Sequence, residues 1–108
     1  MLSRYAPLKK FVAKRGGVRL AIRPAIRDEL VEFCVDNWPD DNSEKTMRVK
    51  AGNFLRQKYG SILASILIAL LVRVIVTLII EWWTSREENR AAWRVWRTYA
   101  EIARAEKT

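Results

Sequence analysis

Arg73 is the residue with the clearest chemistry to perform, because it is the one charge in residues 62–80, where fourteen of nineteen residues are Leu, Ile or Val. A guanidinium offers five fixed donors and does not lose its proton. Its chemistry there is hydrogen bonding and ion pairing rather than proton transfer. Ser61, Ser65, Ala69, Arg73, Thr77 and Glu81 recur at every fourth position, with Gly60 and Ala64 beside them. Rows of small and hydroxyl-bearing residues let helix backbones approach closely and hydrogen-bond in lipid. A four-residue step drifts ~40° per repeat from a 3.6-residue turn, so only three or four consecutive members can face one neighbour. Ser61, Ser65, Ala69, Arg73 and Thr77 are the candidate helix–helix interface.

Residue types suited to catalysis are sparse. The chain has no histidine, which removes the commonest general base and metal ligand. No nucleotide-binding glycine loop, paired-cysteine metal spacing or nucleophile elbow occurs. Asp36, Asp40, Asp41 and Glu44 surround Pro39 but lack calcium-loop spacing and its glycine, and read as a capping loop. Cys34 is the single cysteine, which rules out an internal disulfide and leaves the compartment open; it is expected as a small buried hydrophobe. These features predict a non-enzymatic protein with no catalytic residue, no cofactor and no metal.

The element that carries Arg73 is expected to be a single transmembrane helix over residues 61–83. As a helix, residues 62–80 are ~28 Å long, close to the ~30 Å hydrocarbon thickness of a bilayer. Lys58 and Tyr59 on one side, and Trp82 and Trp83 on the other, suit the headgroup boundary; Trp93 and Trp96 on the last helix extend the set of interface anchors. A central Arg costs about 2.5–3.5 kcal/mol to insert, and each large aliphatic contributes about 0.3–0.6 kcal/mol the other way, so the segment still inserts. Helical side chains tilt toward the N-terminus, which aims this guanidinium back at the bilayer centre and calls for a partner. The competing reading is a central helix enclosed in a soluble oligomer, which rarely needs an apolar run this long.

The predicted fold is all-α, a single-pass transmembrane helix with short amphipathic helices on both sides. Residues 1–42 form a basic arm and a small helical segment, 43–84 one long helix including the span, and 85–108 an amphipathic C-terminal helix. Residues 1–27 hold eight Lys or Arg and no acid. Ser3 could cap a first helix that Gly16 and Gly17 would close, with Lys9, Lys10, Lys14 and Arg15 beside an apolar strip. Val18, Leu20 and Ile22 alternate with polar or small residues and read as a short strand or a turn. Pro24 suits the first turn of a second helix, whose apolar face is Ile26, Leu30, Phe33, Cys34 and Trp38, and Pro39 ends it. Ser43 or Asn42 caps the next helix, which runs without a proline from Glu44 to Trp83. Ser85 and Glu88 have capping-box spacing ahead of a last helix. Its apolar face is Ala92, Val95, Trp96, Tyr99, Ile102 and Ala103, with Trp93 off that stripe.

Net charge is +8, which suits an anionic lipid surface, nucleic acid or an acidic protein. The first expectation is a structural or accessory subunit of a larger membrane-embedded assembly, such as a lipid-containing virion or a multisubunit membrane complex, held by helix packing around Arg73. Its partners are then the bilayer and other membrane subunits or copies of itself, with anionic lipid or nucleic acid on the basic arm. Alternatives are a self-oligomerising permeabiliser of the holin kind and a membrane-tethered, non-specific nucleic-acid binder. Lys and Arg are more numerous before the span than after it, which favours an N-terminus on the cytoplasmic or interior side.

Overall fold

In the computed structural model, which describes the backbone of residues 4–20 and 23–107 and the side chains of 4–15 and 23–107, the chain forms five α-helices and, among the described residues, no strand. They are α1 (Ala6–Leu20), α2 (Pro24–Asn37), α3 (Glu44–Tyr59), α4 (Ser65–Ser85) and α5 (Glu87–Lys107). The backbone of α1 stays helical through Gly16 and Gly17 as far as Leu20, so the glycine pair does not close it. Ser3 and Ile22 lie outside the described residues.

Several local expectations hold. Proline opens α2 at its first turn, and the helix ends at Asn37, short of Pro39. Ser43 caps α3, its hydroxyl accepting from the Thr46 N–H at 3.1 Å. Asp41 accepts from the Ser43 N–H at 3.0 Å, and Asn42 takes the left-handed φ of 58° that short amide side chains tolerate. Cys34 is fully buried, and burial pushes its thiol pKa up, away from reactivity.

The expected continuous helix from Glu44 to Trp83 is broken at residues 60–64. Gly60 ends α3 with its N–H on the Arg56 carbonyl, and a Cβ built there would run into that same carbonyl oxygen. The amides of Ile62 and Leu63 both return to the Tyr59 carbonyl, and Ala64 is extended before α4 begins. Gly60 therefore sits in a turn where an unbroken helix from Glu44 to Trp83 is expected. α3 folds back along α4 as a helical hairpin.

α4 organises the rest. Its 21 residues make a rod of ~32 Å, as long as the body itself, which measures 34 × 33 × 31 Å. The other four helices consequently lie beside it and not beyond its two ends. Each contacts it, α2 the least. Ile68, Leu71, Ile75 and Ile79 face this core, where they meet Leu8 and Val12 of α1, Leu30 and Cys34 of α2, and Met47 and Leu55 of α3.

The aromatic residues close the end of the body where α2, α4 and α5 meet. Trp38 is 1% exposed and sits edge-on to both Trp83 (4.9 Å) and Trp93 (5.2 Å). Trp82 stacks on Trp96 at 5.1 Å, and Tyr5 leans on the same Trp96 at 4.9 Å. α5 is rotated from its expected seating. Trp93 is its one buried side chain, while Val95, Tyr99 and Ile102 point outward. The cause lies at the corner. Ser85 donates back to the Trp82 carbonyl at 2.8 Å rather than capping α5, and Asn89 donates to the same oxygen at 3.0 Å. Together they set the direction in which α5 leaves.

Arg97 completes this end from α5. It donates to the carbonyls of Val35 and, at 2.7 Å, of Trp38, and Arg104 donates to the Asp36 carbonyl at 2.9 Å. The last carbonyls of a helix lack intrahelical partners and carry the negative end of its dipole, so two guanidiniums supply both hydrogen bonds and charge. Arg97→Ala is expected to cost about 1.5–3 kcal/mol in the free energy of unfolding. Urea melts followed by circular dichroism measure it. Arg97→Lys should recover only part of the loss, because an ammonium cannot span both carbonyls.

Candidate functional site

The outward face of α4 is where the predicted interface residues come together. Ser65, Ala69, Arg73 and Thr77 all lie exposed along the side that the other helices leave uncovered, flanked by Ile66 and Leu70. Ser61 is exposed too, but in the turn before α4 and off the helical ladder. Four consecutive members on one side agree with the drift of a four-residue step. Only 39% of the most apolar stretch of α4 is buried within the chain. Ile66 is 82% exposed and Leu70 49%, unusual exposure for large aliphatics that stand together.

Arg73 makes no hydrogen bond or ion pair with any other described residue. The last member of the row, Glu81, is engaged by Arg15 of α1 at 3.1 Å. The row thus ends in a closed ion pair at one end and an open guanidinium in the middle.

The predicted anchors are drawn into the body. Trp82 and Trp93 are buried, Trp83 and Trp96 partly so, all within the aromatic cluster. Lys58 and Tyr59 both hold Glu29, tying α3 to α2. The basic arm is the docked helix α1. Lys9 is 8% exposed and pairs with Glu32, and Arg15 lies over Phe11 as well as on Glu81. Lys10 and Lys14 remain exposed, so half of the arm's charge is turned to internal contacts.

The acids of α2 give the body a pH dependence. Burial pushes the carboxyl of Glu32 up, but hydrogen bonds from Lys9 and Arg4 outweigh it and leave the pKa below its ordinary 4.5. Glu29 is likewise lowered, burial being overcome by Lys58 and Tyr59. A carboxylate with a lowered folded pKa contributes stability that is present above its unfolded value and is lost as pH falls through the folded one. Thermal stability should therefore hold at about pH 6 and decline below about pH 4.5 toward pH 3. Glu32→Gln should flatten that decline, as thermal melts across the range would record.

Two further features carry site character that residue spacing did not reveal. One is Arg97, whose α2 carbonyl partners are some sixty positions away. The other is a groove of about 500 Å³ between α3 and α4, lined by Arg48, Gly52 and Arg56 from one helix and Ile66, Leu70 and Arg73 from the other. No regular spacing within either helix marks such a groove, because it exists only once the Gly60 turn brings α3 alongside α4. Among the described residues, no cluster of three or more His, Cys, Asp or Glu is arranged to hold a metal ion. Compared with protein families, with curated proteins and with solved structures, the chain matches none.

Proposed function

We propose that the chain is a non-enzymatic accessory subunit of a larger membrane-embedded assembly, joined to it by the uncovered face of α4 around Arg73. The observation that carries this reading is the coincidence, on one face, of small and hydroxyl residues, exposed large aliphatics and a guanidinium without a partner among the described residues. α4 is the one helix among the described residues long and apolar enough to cross a membrane. A neighbouring helix bearing a carboxylate would bury that face and pair the guanidinium. Breaks in the helix at residues 60–64 and at Arg86 flank α4. In a single-pass arrangement with the N-terminal helices on the cytoplasmic or interior side, these breaks are the hinges at which α1–α3 and α5 would have to swing from beside α4 to its opposite ends.

A second reading is supported by the four helices that share a core with α4. In it the domain is water-soluble, and a protein partner covers the same face. One fractionation separates the two. The membrane reading expects the chain to stay in the membrane pellet through high-salt and alkaline washes, then to leave with other subunits in mild nonionic detergent. A chain that is monodisperse without detergent would overturn it and leave the soluble partner. Dye release from liposomes by the purified chain alone would instead favour a self-assembled pore.

A further inference from the structure

The groove between α3 and α4 is cationic and apolar at once. Arg48, Arg56 and Arg73 line it together with Val49, Ile66 and Leu70, and no carboxylate among the described residues lines it. The three apolar side chains are each about half exposed or more. Gly52 lies between the two α3 arginines, one turn from each. Arg56 reaches back across it, for a Cβ placed on Gly52 would stand 3.0 Å from the Arg56 Nη2. These cations are under-used. Arg56 donates to the neutral Asn53 at 3.1 Å. Arg48 pairs one Nη with Glu44 at 2.6 Å, while its Nε is buried with no hydrogen-bond partner among the described residues. Arg73 has no partner among the described residues.

We propose that this groove binds one anionic phospholipid, its phosphate on the Arg48 and Arg56 guanidiniums of α3 and an acyl chain along Val49, beside the Arg73 face that takes the partner helix. The inference rests on the reading that the chain works at a membrane, but not on α4 crossing it. A phosphodiester presents several acceptor oxygens to several donors, which suits a groove lined by more than one guanidinium better than one carboxylate does. Basic pockets between helices at a membrane take anionic headgroups for this reason. The size agrees. A volume of about 500 Å³ falls in the ~300–1,000 Å³ range of ligand sites and takes a phosphodiester headgroup with part of one acyl chain, the rest of the lipid lying outside the groove.

Native mass spectrometry of the full chain in nonionic detergent tests this, with dioleoyl phosphatidylglycerol or dioleoyl phosphatidylcholine added at equal concentration. The wild-type chain should retain phosphatidylglycerol in preference by about tenfold or more. R48Q/R56Q should lose that preference. So should Gly52→Leu, which alters no charge but fills the groove and displaces Arg56; it decides the matter if the double variant loses its helical circular dichroism. K10Q/K14Q, which removes equal charge from the exposed side of α1, should keep it. Equal retention of both lipids by the wild type would overturn the proposal. So would an equal loss in K10Q/K14Q, displacement by millimolar inorganic phosphate, or displacement by a co-purified acidic protein subunit. R48Q/R56Q leaves Ser65, Ala69, Arg73 and Thr77 intact, so subunit co-purification and lipid preference fail independently.

Discussion

Replacing Trp38 by Ala should lower the free energy of unfolding by about 3–5 kcal/mol, the range for removing a large aromatic from a packed core. The side chain is 1% exposed and meets Trp83 and Trp93 edge-on at 4.9 and 5.2 Å. Such pairs contribute about 0.5–1.5 kcal/mol beyond their burial. Small domains are stable by only about 5–15 kcal/mol in total, so this one change removes a large share. Urea melts at constant pH, with near-ultraviolet circular dichroism reporting the aromatic cluster, would measure it. Trp38→Phe separates packing from polarity. Its indole Nε1 is buried without a hydrogen-bond partner among the described residues, and such a group costs about 1–3 kcal/mol. Phe removes that cost and leaves a smaller gap, so its loss should be well below that of Ala. A Trp38→Ala loss under about 1 kcal/mol would mean that the cluster does not hold α2 and α5 to α4.

The periodicity of apolar residues made the α2 face, the Ser43 cap and the Pro39 stop legible, because each depends on residues within one or two turns. What was not legible depends on pairs far apart in the chain. The Gly60 turn is one case. In the sequence it is a glycine in an otherwise unbroken helical pattern. The boundary is made by the turn that returns the Ile62 and Leu63 amides to Tyr59 and by extended Ala64, and the close Arg56 carbonyl leaves no room for a Cβ at Gly60. Trp93 is another. It stands off the apolar stripe of α5, yet the corner built by Ser85 and Asn89 turns it inward and leaves Val95, Tyr99 and Ile102 outside. The acid-free start read as a charged arm, but its Lys9 meets Glu32, twenty-three positions on. Hydropathy measures how much a residue avoids water, not which surface covers it. The same apolar run accordingly serves as a half-buried core helix here and passes as a membrane span by length and composition.

The candidate site divides along the same line. The ladder of Ser65, Ala69, Arg73 and Thr77 was readable because its members share one helix face, and they remain together on the uncovered side of α4. The cationic groove was not, since Arg48 and Arg56 join Arg73 only through the α3–α4 hairpin. Arg73 belongs to both surfaces, which makes it the most informative position to change.

Arg73→Leu should leave the fold intact, because the side chain is exposed and makes no hydrogen bond or ion pair with another described residue. Membrane retention should be unchanged or stronger, since a central Arg opposes insertion by about 2.5–3.5 kcal/mol and Leu favours it. Assembly should respond in the opposite sense. If the guanidinium pairs with a carboxylate on a neighbouring helix, removing it strands that acid in an apolar contact. Breaking such a buried pair costs about 3–5 kcal/mol, or about two to nearly four orders of magnitude in association. Co-purification in mild detergent would then collapse while the alkaline-wash pellet still held the chain. Arg73→Lys should fall between, keeping the charge but losing the two-pronged geometry. Ala69→Phe gives an independent check, for it obstructs close helix approach at the centre of the ladder and leaves every charge in place. Full co-purification of both Arg73→Leu and Ala69→Phe would move the assembly surface away from this face of α4, whatever the chain's relation to lipid.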